Sequence, residues 1–461
     1  MAGDTRVGCR AVLGDAVSEA FARARKFLED KDTAELLEIV GQTVPELALG
    51  VQTADKRSFP ASFGAGKGCE DDVLTGRGVF YVTQSGKVML DCVSGHYQMT
   101  WGYNHPALNA AVAEAMELGV VWDNHANTPS VPVKELAERL VALSGGEDSG
   151  LDRVMLGLAT GSVACGAALK VMLTRYRTDA ARSRLGPPVM LSLIGNYHGT
   201  DIVAQTLRGM WPGLLAGLEV VQVEPNDADA LEAAFSEYGE RVAGFWAEPV
   251  MMNREAVLVD KDYLQLARRL CTEHGALMAL DEIQTGFWYP GVFLFREFGL
   301  TPDLVIVGKG MTAGFHPLAG VIYRHELDIL EQYDALSTNG NASLAALVGL
   351  CNLSLIEHES DRIARVTQRH NDGLRVLASQ FPDLIETVNG YGLLTGMKFC
   401  HRADALGFHR TAVERGLWLR VHAYHPGHRT VLMKYALVAD ERVVEFVLGL
   451  MCGLLDDRPW R

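Results

Sequence analysis

The chain has 461 residues, of which 48% are hydrophobic and 21% charged, and its formal net charge is -15. This length allows two or three domains with a large buried core. The negative charge argues against a nucleic-acid or anionic-membrane partner, since both require a basic surface. No segment approaches the roughly 20 consecutive apolar residues that a membrane-spanning helix needs. The composition therefore predicts a globular protein without a membrane or nucleic-acid partner.

The cysteines indicate a reducing compartment. Eight of them are scattered singly along the chain, and no two form a CxxC pair. This pattern is typical of free thiols rather than of a disulfide framework or a zinc site. Residues Met1 to Arg10 contain no hydrophobic run of the kind that marks a secretory signal. We therefore expect a cytoplasmic protein without a bound metal.

The first predicted elements are helices and a hairpin. Residues 10–50 interleave charged and apolar positions, which favours helix, and the Gly-rich stretch 58–78 suggests an extended connection. The stretch GVFYVTQSGKVMLDCVSG (78–95) contains two β-rich runs around a Gln-Ser-Gly turn and predicts a β-hairpin. An amphipathic helix follows over residues 104–118.

From residue 154 onward, short apolar runs alternate with helical patterns. The predicted strands are 154–159, 188–194, 242–248, 276–282 and 304–309, and the predicted helices are 162–176, 227–238 and 261–274. Continuous apolar runs that end in polar residues are typical of strands buried on both faces. The alternation predicts an α/β fold with a mostly parallel sheet. Ligands bind such sheets at the carboxyl ends of the strands, where Glu248, Asp281 and Lys309 fall.

The pattern changes after about residue 335. Two long helices (343–358 and 359–380) precede short strands and a closing amphipathic helix (439–455), which together predict an α+β module. We divide the chain into an N-terminal segment (1–75) that belongs to a small domain, a large domain (76–335), and a C-terminal part of the small domain (336–461).

Two consecutive strand ends carry residues suited to hold pyridoxal 5′-phosphate (PLP). Its aldehyde requires a lysine, and its pyridine nitrogen requires a carboxylate that favours the protonated form. Asp281 begins the stretch DEIQTGF, and Lys309 lies in the stretch VGKG after a Pro-Asp-Leu strand. This pattern resembles the signature of class III aminotransferases, and the resemblance extends from about Val79 to Leu448.

The resemblance implies a fold type I PLP-dependent enzyme, with a seven-stranded-type sheet in the large domain and a smaller α+β domain built from both termini. It implies that Lys309 forms the Schiff base and that Asp281 holds the pyridinium. Gly161 and Ser162, which precede a helix, match the phosphate cup, where backbone N–H groups and a hydroxyl bind the phosphate. Tyr197 matches the ring that stacks on the cofactor.

Further cofactor and subunit contacts are implied in the same way. His198 follows the stacking ring, Glu248 matches a carboxylate on the substrate side, and Gln284 matches the residue that hydrogen-bonds the phenolic oxygen of the cofactor. Either Ser337 or Thr338 matches the hydroxyl donated to the phosphate of the neighbouring subunit, and we favour Thr338. The resemblance therefore predicts a homodimer with shared active sites.

The chain departs from the family where the substrate is bound. Val163 replaces a glutamate after the phosphate cup, and the stretch VLMKYA (431–436) lacks the arginine that grips the substrate carboxylate. Lys434 could substitute for it as a point charge. The other candidates for substrate contacts are Arg420, Arg429, Tyr97, Trp101 and Trp122, and the three aromatic residues could equally pack a dimer interface.

The expected function is that of a PLP-dependent aminotransferase acting on an amino acid or amine. Lys309, displaced by the substrate amine, would remove the Cα proton while the ring stores the electrons of the carbanion. The departures keep other fates of that carbanion open: β- or γ-elimination or replacement, carbon–carbon bond formation, decarboxylation or epimerisation. A remote alternative is a PLP-binding protein without catalytic activity.

Overall fold

The structure, a computed structural model, describes residues 8–51, 71–423 and 425–461. The predicted connection at 58–78 lies partly outside these residues, as does most of the N-terminal stretch Met1 to Arg10. The helices are α1 Cys9–Leu13, α2 Asp15–Glu29, α3 Thr33–Glu38, α4 Ser94–Tyr97, α5 Pro106–Glu117, α6 Val131–Leu143, α7 Gly146–Ser149, α8 Gly161–Thr178, α9 Ile202–Leu207, α10 Ala228–Tyr238, α11 Lys261–Glu273, α12 Leu294–Glu297, α13 Ser343–His358, α14 Ser360–Gln380, α15 Arg402–Glu414 and α16 Glu441–Asp457.

The strands that the structure describes form one large sheet and several small ones. They are β1 Val73–Arg77, β2 Phe80–Thr83, β3 Val88–Asp91, β4 Arg153–Leu158, β5 Val189–Leu193, β6 Glu219–Val223, β7 Val242–Ala247, β8 Val250–Met251, β9 Val257–Leu258, β10 Leu277–Asp281, β11 Leu304–Val307, β12 Ala319–Tyr323, β13 Ile385–Tyr391, β14 Leu394–Phe399, β15 Leu417–Trp418, β16 Arg420–His422 and β17 Thr430–Met433.

The large sheet has seven strands in the order β4-β12-β11-β10-β7-β5-β6. Strand β12 runs antiparallel to both of its neighbours, and the other pairings are parallel. Every residue of β5, β7, β11 and β12 is buried, because helices cover both faces of the sheet. Helix α8 packs across β7, β11 and β12. The sheet confirms the predicted fold type I architecture.

The C-terminal part of the chain completes one small sheet and forms another. Strand β15 pairs in parallel with β3, so that a C-terminal strand completes the sheet β1-β2-β3-β15. A second sheet has the order β13-β14-β17-β16, and α14 and α16 pack against each other beside it. The domain boundaries given above stay a prediction.

Most predicted elements are present, and the differences have local causes. The helical pattern at 10–50 is broken into three helices, of which the last ends at Glu38, before a turn in which Gly41 has a φ of +84°. A Cβ on Gly41 would meet the Arg415 carbonyl oxygen at 2.5 Å, so this turn also needs a residue without a side chain. Strands β6, β12 and β13 were missed because their short sequences mix polar or glycine residues into the apolar pattern.

In residues 8–51, 71–423 and 425–461, no helix combines the length and the apolar character that crossing a bilayer requires.

Candidate active site

Three neighbouring strands deliver the charged residues of the site. Strand β10 lies between β7 and β11, and all three run in the same direction. Glu248 directly follows β7, Asp281 is the last residue of β10, and Lys309 comes two residues after β11. Their side chains therefore meet at one edge of the sheet, as the sequence predicts.

Asp281 is held in a buried hydrogen-bonded network. Its Oδ2 atom lies 2.8 Å from His198 Nδ1 and 3.7 Å from Cys165 Sγ, and its Oδ1 atom accepts from the Ile283 N–H at 3.0 Å. Burial lowers the pKa of His198, but the hydrogen bond to Asp281 and the charge of that carboxylate outweigh burial and raise it. The hydrogen bond from His198 thus fixes the position of the Asp281 carboxylate.

Cys165, His198 and Asp281 place ligand-type atoms within 4.8 Å of one another. Such a trio could bind a metal ion, although a thiolate is the form that binds metals. Burial raises the pKa of Cys165 well above its ordinary value, and the charge of Asp281 raises it further. The thiol form can donate to the carboxylate, which suits a carboxylate-supporting role.

Glu248 lies beside this network and accepts hydrogen bonds from both the Tyr197 segment and the Gln284 segment. Its Oε1 atom accepts from the Tyr197 N–H at 2.7 Å, and its Oε2 atom accepts from Gln284 Nε2 at 3.0 Å. Burial raises the pKa of Glu248 to about 7, a shift that the charge of His198 opposes. The Gln284 amide donates to Asn253 Oδ1 as well, at 3.2 Å.

Lys309 faces a cavity of about 430 Å³. The other lining residues are His96, Tyr197, Arg208, Asn253, Arg420 and His425. Burial lowers the pKa of Lys309 to about 8, against the opposing effect of the carboxylates of Asp281 and Glu248. Its φ of +42° is in the left-handed region, which is uncommon for a residue with a side chain and is often found at functional sites. Lys309 therefore has the environment of a reactive amine.

The beginning of α8 carries Gly161 and Ser162, which the sequence predicts to bind the phosphate. The Thr160 side chain caps the helix by accepting from the Val163 N–H at 3.4 Å. Ser162 Oγ accepts from the Thr200 N–H at 3.1 Å, and a side chain on Gly199 would overlap Ser162. A Cβ on Gly161 would meet Ile283 Cδ1 at 2.6 Å. The cup, the Tyr197–Gly199 segment and the residues after β10 therefore pack together.

The site contains polar atoms whose hydrogen bonds a ligand could complete. Among the described residues, His198 Nε2, Gln284 Oε1 and Trp288 Nε1 are buried without a hydrogen-bond partner. Buried polar groups are nearly always paired in folded proteins, and these three atoms have hydrogen-bonding capacity left for a bound ligand. A helix N-terminus, a buried carboxylate and a lysine of lowered pKa match the phosphate, ring nitrogen and aldehyde of PLP.

The residues predicted to contact the substrate lie partly in the cavity lining and partly outside it. Arg420 lines the cavity, whereas the Lys434 ammonium is fully buried and donates to the Gln284 carbonyl at 2.6 Å. Trp101 is buried and donates to Asn352 Oδ1 at 2.8 Å, so it packs the interior rather than the cavity. Tyr97 is also buried, with the Lys434 ammonium 5.4 Å from its ring centre. Trp122 is 64% exposed and does not line the cavity.

The segment that carries Ser337 and Thr338 runs beside the segment of Trp122. Asn341 and Asn124 exchange two backbone hydrogen bonds, of 2.9 and 3.2 Å. Thr338 is exposed and Ser337 is half-buried, and neither lines the cavity of its own chain. Arg429, another candidate for the carboxylate, pairs with Glu386 and lies outside the cavity lining.

Sequence reasoning missed several residues of the site. Arg208, Asn253 and His425 line the cavity but lie in loops without a recognisable pattern. Cys165 was predicted only as one of the scattered free thiols, whereas its sulfur lies 3.7 Å from Asp281 Oδ2. The helical spacing of four residues from Gly161, which puts both on one face of α8, was the available signal.

Comparisons with known proteins agree with this geometry. Residues 70–450 match the sequence family described as aminotransferase class-III. The chain is 27% identical over 339 residues to the mitochondrial ornithine aminotransferase of Oryza sativa, which covers 71% of the chain and 69% of that protein. It is 30% identical over 343 residues to the acetylornithine aminotransferase of Agrobacterium fabrum, with 70% and 79% covered.

Solved structures share the fold. The ornithine aminotransferase of Toxoplasma gondii superposes with a TM-score of 0.76 at 22% identity, covering 89% of this chain and 96% of that one. A transaminase from a marine Virgibacillus bacterium gives the same TM-score at 20% identity, with 89% and 98% covered. From the match over residues 70–450, we conclude that the chain belongs to the class-III aminotransferase family and is a PLP-dependent transferase.

Proposed function

We propose that this aminotransferase moves an amino group from an amino acid or amine to a keto acceptor, with Lys309 as the residue that holds the cofactor and transfers the proton. The observation that carries the proposal is the meeting of Lys309, Asp281 and Glu248 at three adjacent strand ends beside one cavity. Titratable groups of perturbed pKa gathered in a cleft are typical of catalytic sites.

Lys309 and Asp281 have different roles in the proposed reaction. When bound, PLP supplies an electron-accepting ring that stabilises negative charge on the carbon beside the amine. Asp281, fixed by His198, holds a proton on the ring nitrogen. Lys309 Nζ removes the proton from the amine-bearing carbon of the substrate and later donates it back. Its lowered pKa of about 8 keeps more of the free amine unprotonated near neutral pH than an ordinary lysine would.

The cofactor contacts follow from the same geometry. The N–H groups at the start of α8 and the Ser162 hydroxyl would hold the phosphate, and Tyr197 would lie against the ring. Gln284 Nε2 donates to Glu248 Oε2 and to Asn253 Oδ1, so one of these two N–H groups would have to turn toward the phenolic oxygen of the cofactor. Glu248 with a pKa of about 7 exists in both protonation states near neutral pH.

We also propose a homodimer in the cytoplasm. Trp122 and Tyr333 are each 64% exposed on or beside the two paired surface segments, which is unusual for large aromatic side chains unless a partner covers them. A partner in that position would bring Thr338 or Ser337 to the phosphate. The seven cysteines in the described ranges are free thiols, in keeping with a reducing compartment.

The test is to replace Lys309 and follow both colour and turnover. The wild-type enzyme should absorb at about 420 nm, as PLP bound to lysine does. K309A should lose this band and all turnover, whereas K134A, an exposed lysine on α6, should keep both. Wild-type turnover by K309A would overturn the assignment.

A second measurement identifies the reaction. The enzyme is mixed with an amine donor in the absence of a keto acid. Transamination predicts one equivalent of keto product per active site, after which the reaction stops until a keto acid is added. Repeated turnover without any keto acid would instead indicate elimination, decarboxylation or condensation.

A further inference from the structure

The lysine that the sequence offers for carboxylate binding does not reach the substrate cavity. The Lys434 ammonium is fully buried, donates to the Gln284 carbonyl, and lies 3.9 Å from the centre of the Trp288 ring. Its contacts are with the wall of the site, and it is absent from the cavity lining. An anionic substrate group must therefore find another partner.

Two arginines line the cavity from different elements. Arg420 lies on β16, and Arg208 directly follows α9. Strand β16 is antiparallel to β17, and Arg420 pairs in register with Leu432, two residues before Lys434. Arg420 thus brings positive charge to the cavity from β16. This strand is the neighbour of β17, which Lys434 directly follows.

Neither arginine has a carboxylate partner within residues 8–51, 71–423 and 425–461. Other partly buried arginines do, since Arg254 pairs with Glu224 and Arg268 pairs with Asp303. Arg420 instead contacts His96 Nε2 at 2.5 Å, and Arg208 contacts His425 Nε2 at 3.4 Å. The two guanidinium groups are half-buried, so their positive charge is partly removed from water without being neutralised.

Neutral histidine is a suitable support for Arg420. Partial burial lowers the pKa of His96 to about 3, and the positive charges of Arg420, Lys309 and Lys434 contribute. His96 therefore accepts a hydrogen bond at neutral pH and adds no charge of its own. It orients the guanidinium while leaving its remaining N–H groups for a ligand.

We propose that Arg420, assisted by Arg208, binds a carboxylate of the substrate, so that the enzyme selects amino and keto acids over simple amines. The inference rests on the proposed function, because it assigns the substrate class of the same cavity. A guanidinium binds a carboxylate through two parallel hydrogen bonds, which gives both affinity and orientation. The carboxylate-binding group has, on this view, moved from the β17 segment to β16 and the loop after α9.

Binding of unreactive probes tests the proposal without any turnover. Isothermal titration calorimetry with the PLP-loaded enzyme uses glutarate as the carboxylate probe and 1,5-pentanediol as its uncharged counterpart. Loading with PLP occupies Lys309, so that its amine does not bind the anion. Glutarate should bind and the diol should not. R420Q should raise the Kd of glutarate by about 10- to 100-fold, the loss expected for a charge-assisted bidentate pair.

Three further variants separate binding from folding. R208Q should raise the Kd less than R420Q does, and R420K should be intermediate, because a point charge replaces the planar fork. R410Q, an exposed arginine on α15, should leave the Kd unchanged. Retention of the absorbance at about 420 nm shows that each variant still holds the cofactor. Equal glutarate affinity in wild-type, R420Q and R208Q enzymes would overturn the proposal.

Kinetics provide the matched readout of specificity. The donors 5-aminopentanoate and pentylamine differ only in the carboxylate. The ratio of their kcat/KM values should favour the acid in the wild-type enzyme and fall toward one in R420Q. Because glutarate binding needs no reaction, a protein that binds glutarate through Arg420 but transfers no amino group would refute the proposed function and leave the inference intact.

Discussion

At the scale of the residue, the site is governed by buried charges that lack full compensation. Glu248 and Lys309 both have pKa values displaced toward neutrality, to about 7 and about 8, and burial is the main cause of each shift. Burial by itself would lower the pKa of His198, but direct contact with the Asp281 carboxylate raises it instead. Such opposed shifts within one cluster identify groups that can exchange protons near neutral pH.

The pH dependence of stability at Lys434 tests, independently of catalysis, whether burial of a charged group shifts its pKa. Burial lowers its pKa well below the ordinary value, and the charge of Lys309 lowers it further. The folded protein therefore binds this proton less readily than the unfolded chain, so stability is lost as pH falls below the ordinary lysine pKa. K434M removes the titrating group but leaves the Gln284 carbonyl without its donor, which costs about 1–3 kcal/mol at every pH.

We therefore expect the stability of K434M relative to the wild type to be higher at pH 6 than at pH 9. Urea unfolding of the cofactor-free protein at several pH values measures this difference. K134M, at an exposed lysine, should show no such trend. A K434M difference that is the same at all pH values would contradict the buried, destabilised ammonium.

At the scale of the element, close backbone approaches position the segments around the site. Gly157 in β4 has a φ of +88°, and a side chain there would overlap the Gly340 carbonyl of the 337–341 segment. Strand β4 and this segment touch backbone to backbone, so the path of the segment depends on a residue without a side chain.

G157A should therefore destabilise the fold by about 2–4 kcal/mol, the range of substitutions that combine backbone strain with a steric overlap. Gly449 provides the opposite case, because it is exposed in the interior of α16 and a Cβ there meets nothing within 4 Å. G449A should stabilise by about 0.5–1 kcal/mol through helix propensity. Chemical denaturation measures both, and a neutral G157A would refute the assigned contact.

At the scale of the whole molecule, the active site is expected to need two chains. The mass in solution should be twice the 50.2 kDa of the chain, as measured by size-exclusion chromatography with light scattering. T338A should lower PLP affinity, because a phosphate contact from the partner is lost. If the register is shifted by one residue, S337A shows the effect instead.

Mixed dimers make the sharing of the site visible. K309A and T338A chains are each deficient, but a mixed dimer contains one site with an intact Lys309 and a partner with an intact Thr338. Random mixing of equal amounts should restore about a quarter of the wild-type sites. If activity is not restored in dimers that demonstrably exchange chains, Thr338 does not act across the interface.

The sequence by itself determined the fold class, the family and the residues at the strand ends. Glu248, Asp281 and Lys309 each follow a continuous apolar run, and such runs form neighbouring parallel strands whose carboxyl ends meet. Local patterns of this kind are sufficient because they depend on residues adjacent in the chain. The start of a helix at Gly161 and Ser162 was predictable for the same reason, since a helix N-terminus is a local feature.

Only the tertiary structure decided which side chains face the cavity. Lys434 and Trp101 are buried in the wall and the interior, while Arg208 and His425 reach the cavity from loops far apart in the sequence. The direction of a side chain depends on what packs against its strand or loop. The residues adjacent to it in the sequence do not determine this packing. The contact of Cys165 with Asp281 likewise exists because α8 crosses the sheet over β10 and its neighbours.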